Sequence, residues 1–155
     1  MTSETQRVAN SGDLGRAGQA FDLALGVAAT IPILVCAVLA RLVPADLEML
    51  VRTSAVIWAS SLLAFFAGVR RGLIFSEAGG GGWRERITML AIFALGIAAM
   101  LFCSLILAAV GLACVGGLDA LSARRGEAPR YFSMFRPLQM AVCAAALVLV
   151  AVSRR

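Results

Sequence analysis

The sequence predicts an all-α, polytopic membrane protein with five transmembrane helices, of which the third and fourth form a short central helical hairpin. Residues 87–118 contain no charged side chain, although about 20 apolar residues are enough to cross the hydrocarbon core of a bilayer. Hydrophobic residues make up 61% of the chain and charged residues 15%, whereas soluble domains average about 45–50% and about 25%. The arginines also cluster in alternate connections between apolar segments, which is typical of membrane proteins.

The N-terminal part is predicted to be a polar cytoplasmic tail, residues 1–20, followed by a single transmembrane domain over residues 21–155. The first helix covers residues 21–43 and contains Pro32, which is tolerated in lipid because neighbouring groups satisfy the carbonyl that proline frees. A cleavable signal peptide with its cleavage site at residues 38–40 is the alternative. Because the apolar stretch is long and the leading tail carries acidic residues, we expect the helix to be retained.

The second helix is predicted to run from Pro44 to about Val69 and to carry a stripe of small side chains spaced four residues apart. The members of this stripe are Ser60, Ala64, Gly68 and Gly72. Side chains at this spacing share one helix face, and small ones let two backbones approach closely in lipid. The stripe is interpreted either as packing against the protein's own helices, which we favour, or as a dimerisation face.

The central apolar run determines the topology of everything after it. A single helix over residues 87–118 would be about 48 Å long, whereas the hydrocarbon core is about 30 Å thick. We therefore predict two short helices joined by a turn near residues 98–104. Before this run, residues 70–86 form a first basic loop whose glycine run, 79–82, lacks the G-K-[ST] ending of a phosphate-binding loop. Trp83 in that loop is expected to be an anchor at the membrane–water interface.

The positions of the arginines favour five helices over four. With the N-terminus in the cytoplasm, five helices place ten of the fourteen arginines on the cytoplasmic side, and four helices place eight there. Positive residues stay cytoplasmic. Residues 119–136 then form a second basic loop, in which Tyr131 is a further interface anchor. The last helix is predicted to begin near Phe132, with Pro137 as an early residue, and to end near Val152.

Three segments resemble motifs of a family of small membrane proteins. Residues 25–32 are similar to a first helix with a Gly…Pro pattern, and residues 65–73 resemble the signature F-x-G-G-x-x-W-G-x, with Ala67 in place of a glycine and Arg71 in place of an aromatic residue. Residues 119–138 resemble an Asp…Pro-x-W-Y…L-R-x-x-L ending. The family is domain of unknown function 3429, which includes mitochondrial transmembrane protein 69. The resemblance implies a five-helix inner-membrane protein and no established reaction.

The charged residues at the cytoplasmic ends of the helices are the candidate functional site. Asp119 is expected to pair with one of four arginines on the same membrane face: Arg70, Arg71, Arg130 and Arg136. Arg124 and Arg125 are expected to belong to the same basic surface. Since an ionisable group near membrane depth needs a partner, this interfacial cluster is interpreted as a pin between the loops, as a site for anionic lipid headgroups, or as a gate for a substrate or a proton.

The composition argues against catalysis. The chain has no histidine, which is the commonest general base and metal ligand, and it contains no G-x-S-x-G elbow. Its four cysteines lack C-x-x-C spacing and are interpreted as apolar filler. We therefore expect no catalytic residue, no metal and no cofactor. The net charge of +5 follows from arginines that flank membrane helices, so nucleic-acid binding is not expected.

The expected function is that of an accessory subunit, or an assembly and scaffold factor, of a larger complex in the inner membrane of a bacterium. All fourteen basic residues are arginine, a bias that accompanies GC-rich bacterial coding. The expected partners are membrane lipids, anionic ones included, and either a larger membrane-protein complex or further copies of the chain. The alternative is a small homo-oligomeric transporter or channel.

Overall fold

The structure, a computed structural model, describes residues 24, 26–76, 82–124 and 130–153. These residues form five helices: α1 Gly26–Leu42, α2 Ala45–Ser76, α3 Trp83–Leu101, α4 Leu105–Arg124 and α5 Arg130–Val152. The predicted all-α class is confirmed. The predicted N-terminal tail, residues 1–20, lies outside the described residues.

The chain separates into two compact units, Met1–Ile31 and Pro32–Arg155. In the first unit the described residues belong to the start of α1, where the Thr30 hydroxyl donates to the Val27 carbonyl oxygen at 2.7 Å. The second unit contains the rest of α1 and all of α2–α5. Its buried α1 residues recur at helical spacing on one face: Ile33, Cys36 and Ala40.

Helices α2–α5 of the second unit pack against one another, with successive helices running in opposite directions, and we call this group the bundle. The packing of α4 on α5 is the most extensive, followed by that of α2 on α3, and α2 also contacts α4 and α5. Among the largest fully buried side chains are members from three of the helices: Leu63, Leu112, Met140 and Leu147. Side chains from α2, α4 and α5 therefore contribute to the centre of the apolar core, and Ile33 of α1 is also fully buried.

Glycines on α3 and α4 allow the close approach of neighbouring helices. A Cβ added at Gly96 would lie 3.0 Å from the Leu63 Cβ atom and 3.3 Å from the carbonyl oxygen of Ser60. At Gly116 the added Cβ would lie 2.9 Å from the Cβ atom of Met140 on α5. These two positions therefore have room for hydrogen but not for a methyl group. In lipid, such close approach of backbones is a main source of helix association.

The long uncharged run is divided between α3 and α4, so the predicted hairpin is confirmed. At the end of α3 the Ser104 N–H donates to the Ala99 carbonyl oxygen at 2.9 Å, and the Cys103 N–H donates to that of Met100 at 3.2 Å. This pair of bonds is a Schellman motif, in which the left-handed residue is usually glycine. Here that residue is Cys103, with φ 47°. Ser104 then caps α4 by accepting the Leu107 N–H at 3.3 Å.

The helices extend further than the sequence predicted. Because α2 continues to Ser76 and α4 to Arg124, the basic loops predicted at 70–86 and 119–136 are too long. Pro137 lies inside α5 rather than close to its start. These boundaries were wrong because the bilayer surface does not end a helix: residues beyond it still make their own backbone hydrogen bonds, and arginine is a good helix former.

Three of the described helices contain a segment that is long and apolar enough to cross a membrane: Ala45–Gly72, Leu105–Ser122 and Phe135–Val152. They indicate a membrane protein. Five transmembrane helices are not confirmed. The described part of α1 has only 17 residues, and the first turn of α3 contains Arg84, Glu85 and Arg86. The apolar remainder of α3, residues 87–101, is about 22 Å long at the rise of an α-helix.

The outward faces of the bundle are apolar between its two ends. Large hydrophobic side chains are exposed there on every helix: Ile57, Phe93, Val110 and Val142. Soluble monomers rarely expose extended apolar surfaces of this kind. Lipid chains around the bundle explain this exposure without any further partner.

Candidate functional site

Three charged side chains from three helices meet at one end of the bundle, and we call them the Asp119 cluster: Arg70 of α2, Asp119 of α4 and Arg136 of α5. Arg70 Nη2 donates to Asp119 Oδ1 at 2.8 Å. Arg136 Nη1 lies 3.6 Å from the other carboxylate oxygen, Oδ2. A single carboxylate thus lies between two guanidinium groups.

An aromatic ring holds the second guanidinium group in place. The Cζ atom of Arg136 lies 4.7 Å from the centroid of the Phe66 ring, within the range of a cation–π interaction. Phe66 precedes Arg70 by four residues on α2, so both face the same way. The ring of Phe65 packs edge-on against the ring of Phe66, with the two ring centroids 5.6 Å apart. The ring and the carboxylate together restrict how the Arg136 side chain can turn.

The cluster is largely but not wholly removed from solvent. The exposed fractions of its side chains are 23% for Arg70, 17% for Asp119 and 18% for Arg136. Within the described residues, Asp119 Oδ2 is buried and accepts no hydrogen bond, so its attraction to Arg136 is through charge alone. Taken together, the three side chains carry a net charge of +1, and each of them remains partly exposed.

The structure brings together only some of the residues that the sequence singled out. Arg70 and Arg136 reach Asp119, whereas Arg71 is exposed on α2 and Trp83 is exposed at the start of α3. The remaining predicted site residues lie outside the described residues, wholly or by their side chains: Arg124, Arg125, Arg130 and Tyr131.

A second polar group, which was not among the predicted site residues, lies at the opposite end of the bundle. Arg52 Nη2 donates to the carbonyl oxygen of Ala151 at 2.8 Å, and Arg52 Nη1 donates to Glu48 Oε1 at 2.8 Å. Arg41 Nε donates to the Ser153 hydroxyl oxygen at 2.6 Å. Both arginines thus hold the end of α5, where carbonyl groups lack helical partners. The four-residue spacing of Glu48 and Arg52 was the available signal.

The distance between the two groups matches a bilayer. Arg52 and Arg70 are 18 residues apart on α2, with no charged residue between them, which corresponds to about 27 Å along the helix axis. The hydrocarbon core of a bilayer is about 30 Å thick. The two charged groups therefore bound an apolar layer of membrane thickness.

The stripe of small residues on α2 is divided. Ser60 is buried next to Gly96 of α3, and its hydroxyl has no hydrogen-bond partner among the described residues. Ala64, Gly68 and Gly72 are exposed. Within the described part of the chain, nothing lies within 4 Å of a Cβ built at Gly68 or Gly72. We call these three exposed residues the open glycine face.

The described residues contain no group of three or more acidic, cysteine or histidine side chains that could hold a metal ion. The cysteines are free thiols, of which Cys36 and Cys143 are buried and Cys103 and Cys114 exposed. Comparisons with known protein families, with characterised proteins and with solved structures found no match to this chain. Any assignment of function therefore rests on the fold, the Asp119 cluster and the open glycine face.

Proposed function

We propose that this chain is an accessory subunit or scaffold factor of a larger complex in a bacterial inner membrane, and that it docks a partner helix on the open glycine face of α2. The observation that carries the proposal is the contrast between two kinds of glycine. Gly96 and Gly116 have neighbouring helices against them, whereas Gly68 and Gly72 have open space. A helix that packed only against its own bundle would gain nothing from glycine on its outer face.

The physical basis is the way in which helices associate in lipid. Lipid tails are as apolar as leucine, so association depends on close packing of backbones, for which the small-x-x-x-small spacing is suited. Ala64, Gly68 and Gly72 have this spacing. Glycine also lowers the stability of a helix by about 1 kcal/mol relative to alanine, and contacts with a docked partner would offset that loss.

The proposal includes a five-span topology with the N-terminus and the Asp119 cluster on the cytoplasmic side. The cluster then faces the compartment in which arginine-rich connections are retained. Short helices α1 and α3 are accommodated by local thinning of the bilayer, at a modest energetic cost. The resemblance to the domain of unknown function 3429 family agrees with this topology.

Co-purification in a mild detergent tests the docking face. We expect the wild-type chain to retain a larger membrane protein in fixed stoichiometry, and we expect Gly68→Leu and Gly72→Leu to lose it, because the larger side chain separates the two backbones. Gly117→Leu is the matched control, since Gly117 is also exposed to open space but lies on α4.

The possible outcomes of this co-purification experiment lead to different conclusions. Loss of the partner in the Gly117 variant as well, or its retention in both α2 variants, would contradict the proposal. A symmetric assembly of this chain alone, dissolved by the same α2 variants, would instead support the homo-oligomeric transporter or channel.

A further inference from the structure

We propose that the Asp119 cluster binds the phosphate group of an anionic membrane lipid, with Arg70 and Arg136 as the phosphate-binding residues and Asp119 as the carboxylate that pairs with both of them in the lipid-free protein. This inference is independent of the open glycine face. Its starting point is charge: two guanidinium groups share one carboxylate, and the excess positive charge lies at a partly exposed surface.

The depth of the cluster in the membrane fits a headgroup. It lies about 27 Å along α2 from the opposite polar group, at one boundary of the apolar layer, where lipid phosphates are found. Arg71, the next residue on α2, is exposed and adds positive charge to the same boundary. Basic residues at this level attract anionic lipids.

Both guanidinium groups lie beside the Asp119 carboxylate, and each has N–H donors that suit a tetrahedral anion. A guanidinium group is planar and matches phosphate oxygens with parallel N–H donors. Arg70 is fixed by its hydrogen bond to Asp119, and Arg136 is fixed by the Phe66 ring. The carboxylate holds two like charges close together, which would otherwise repel each other. A phosphate on the outer side of this pair adds a counter-charge that Asp119 alone does not supply.

The surroundings favour a lipid over a free phosphate ion. Phe65 on α2 and Leu138 on α5 are 57% and 65% exposed. Each lies on the membrane-centre side of its neighbouring arginine, because α2 runs towards the cluster and α5 runs away from it. An acyl chain below a bound phosphate would therefore meet apolar side chains on both helices.

Lipid titration of the full chain in dodecyl maltoside tests the inference, with native mass spectrometry and thermal unfolding as readouts. The probes are phosphatidylglycerol and phosphatidylcholine with identical acyl chains. We expect phosphatidylglycerol to bind about tenfold more tightly, as two charge-assisted contacts allow, and to raise the unfolding temperature. Added NaCl should weaken this preference, because the cluster is partly exposed. Equal binding of the two lipids would overturn the proposal.

Arginine variants locate the site. Arg70→Gln and Arg136→Gln should each lower phosphatidylglycerol affinity about tenfold and should lower phosphatidylcholine affinity by less, because the choline ammonium group offsets the charge on that lipid's phosphate. Arg84→Gln, which removes an exposed arginine at the start of α3, should leave both affinities unchanged. An equal loss in the Arg84 variant, or no loss in the cluster variants, would contradict the inference. Should a glutamine variant not fold, Arg70→Lys and Arg136→Lys replace it; affinity equal to that of the wild type would then overturn the role of the guanidinium groups.

Two further measurements separate lipid binding from a purely structural ion pair and from a free phosphate site. Asp119→Asn should lower the stability of the lipid-free protein, yet it should keep or increase phosphatidylglycerol affinity, because both arginines remain. A fall in affinity would contradict the assignment of the arginines as the binding groups. Inorganic phosphate at matched ionic strength should not raise the unfolding temperature; stabilisation equal to that by phosphatidylglycerol would overturn the lipid as ligand.

Discussion

Asp119 on α4 accepts a 2.8 Å hydrogen bond from Arg70 on α2, so the carboxyl-terminal parts of these two helices lie side by side. The helices that follow them, α3 and α5, begin at this same end of the bundle. The turn at Cys103 lies at the other end, where Thr53 near the start of α2 approaches it, with 4.0 Å between Thr53 Oγ1 and Cys103 Sγ. The ion pair between Arg70 and Asp119 thus ties together the ends from which the connections to α3 and α5 leave.

We expect Asp119→Asn to lower the free energy of unfolding by about 1–3 kcal/mol, because removing one partner leaves the remaining charges without compensation. The cluster is partly exposed, so the effect should fall below that of a fully buried pair. Unfolding of the lipid-free protein in detergent, followed by circular dichroism, measures it. Glu85→Gln, at an exposed position on α3, is the control and should have little effect.

A double-mutant cycle makes the same prediction sharper. Asp119→Asn combined with Arg70→Gln should destabilise by less than the sum of the single variants, with a coupling energy of about 1 kcal/mol or more for residues in contact. Strict additivity would show that the hydrogen bond between the two side chains contributes nothing measurable.

The sequence predicts that the uncharged run, residues 87–118, is divided between two helices, but it does not predict where the helices end. The length of the uncharged run alone required two helices, since one would greatly exceed the bilayer. The predicted end of α2 lies at the membrane surface, near Val69. The helix continues beyond it because residues 70–76 contain no proline that would end it there. A helix continues past that surface wherever its residues still favour helical geometry.

The candidate site was predictable in its chemistry and only partly in its geometry. Asp119 and the arginines were candidates because an ionisable group near membrane depth needs a partner. Which arginines reach it depends on the rotation of α2 and α5 about their axes, and this is set by packing rather than by spacing along the chain. The role of Phe66 also follows from that rotation, although its four-residue distance from Arg70 was a usable signal.

We expect Gly96→Ala to destabilise the protein by about 1–3 kcal/mol, the usual effect of overpacking. The added methyl group would lie 3.0 Å from the Leu63 Cβ atom and 3.3 Å from the Ser60 carbonyl oxygen, and a backbone atom cannot move aside. Thermal unfolding in detergent measures the change. Gly117→Ala on the open side of α4 is the matched control and should be neutral or stabilising, since alanine favours the helix. Equal effects would contradict the close approach of α2 and α3.

We expect Cys103→Gly to stabilise the protein by about 1 kcal/mol, because a left-handed conformation costs a residue with a side chain about that much. Cys103 has φ 47°, and glycine is the usual residue at this position of a Schellman motif. Cys114→Gly removes the same side chain from the interior of α4 and should destabilise by about 1 kcal/mol. A Cys103→Gly variant that is no more stable than the wild type would contradict the left-handed turn.

Thiol labelling measures both the depth of α4 and the sidedness of the bundle. Cys103 and Cys114 are both exposed, but Cys103 lies in the turn and Cys114 in the apolar layer. A maleimide reacts with the thiolate, which needs water. In spheroplasts, a membrane-impermeant maleimide should therefore modify Cys103 and should modify Cys114 only after solubilisation in SDS. Cys103→Ser and Cys114→Ser identify the modified residue.

An engineered thiol at the other end completes this measurement. Arg84→Cys, at the exposed start of α3, should react in inside-out vesicles and not in spheroplasts, because the proposed topology places the two ends of α3 on opposite sides of the membrane. The reverse pattern would invert the orientation while leaving the bundle intact. Reaction of both thiols from one side would mean that α3 does not cross the bilayer, and the apolar layer between Arg52 and Arg70 would then not be the membrane-embedded part of this protein.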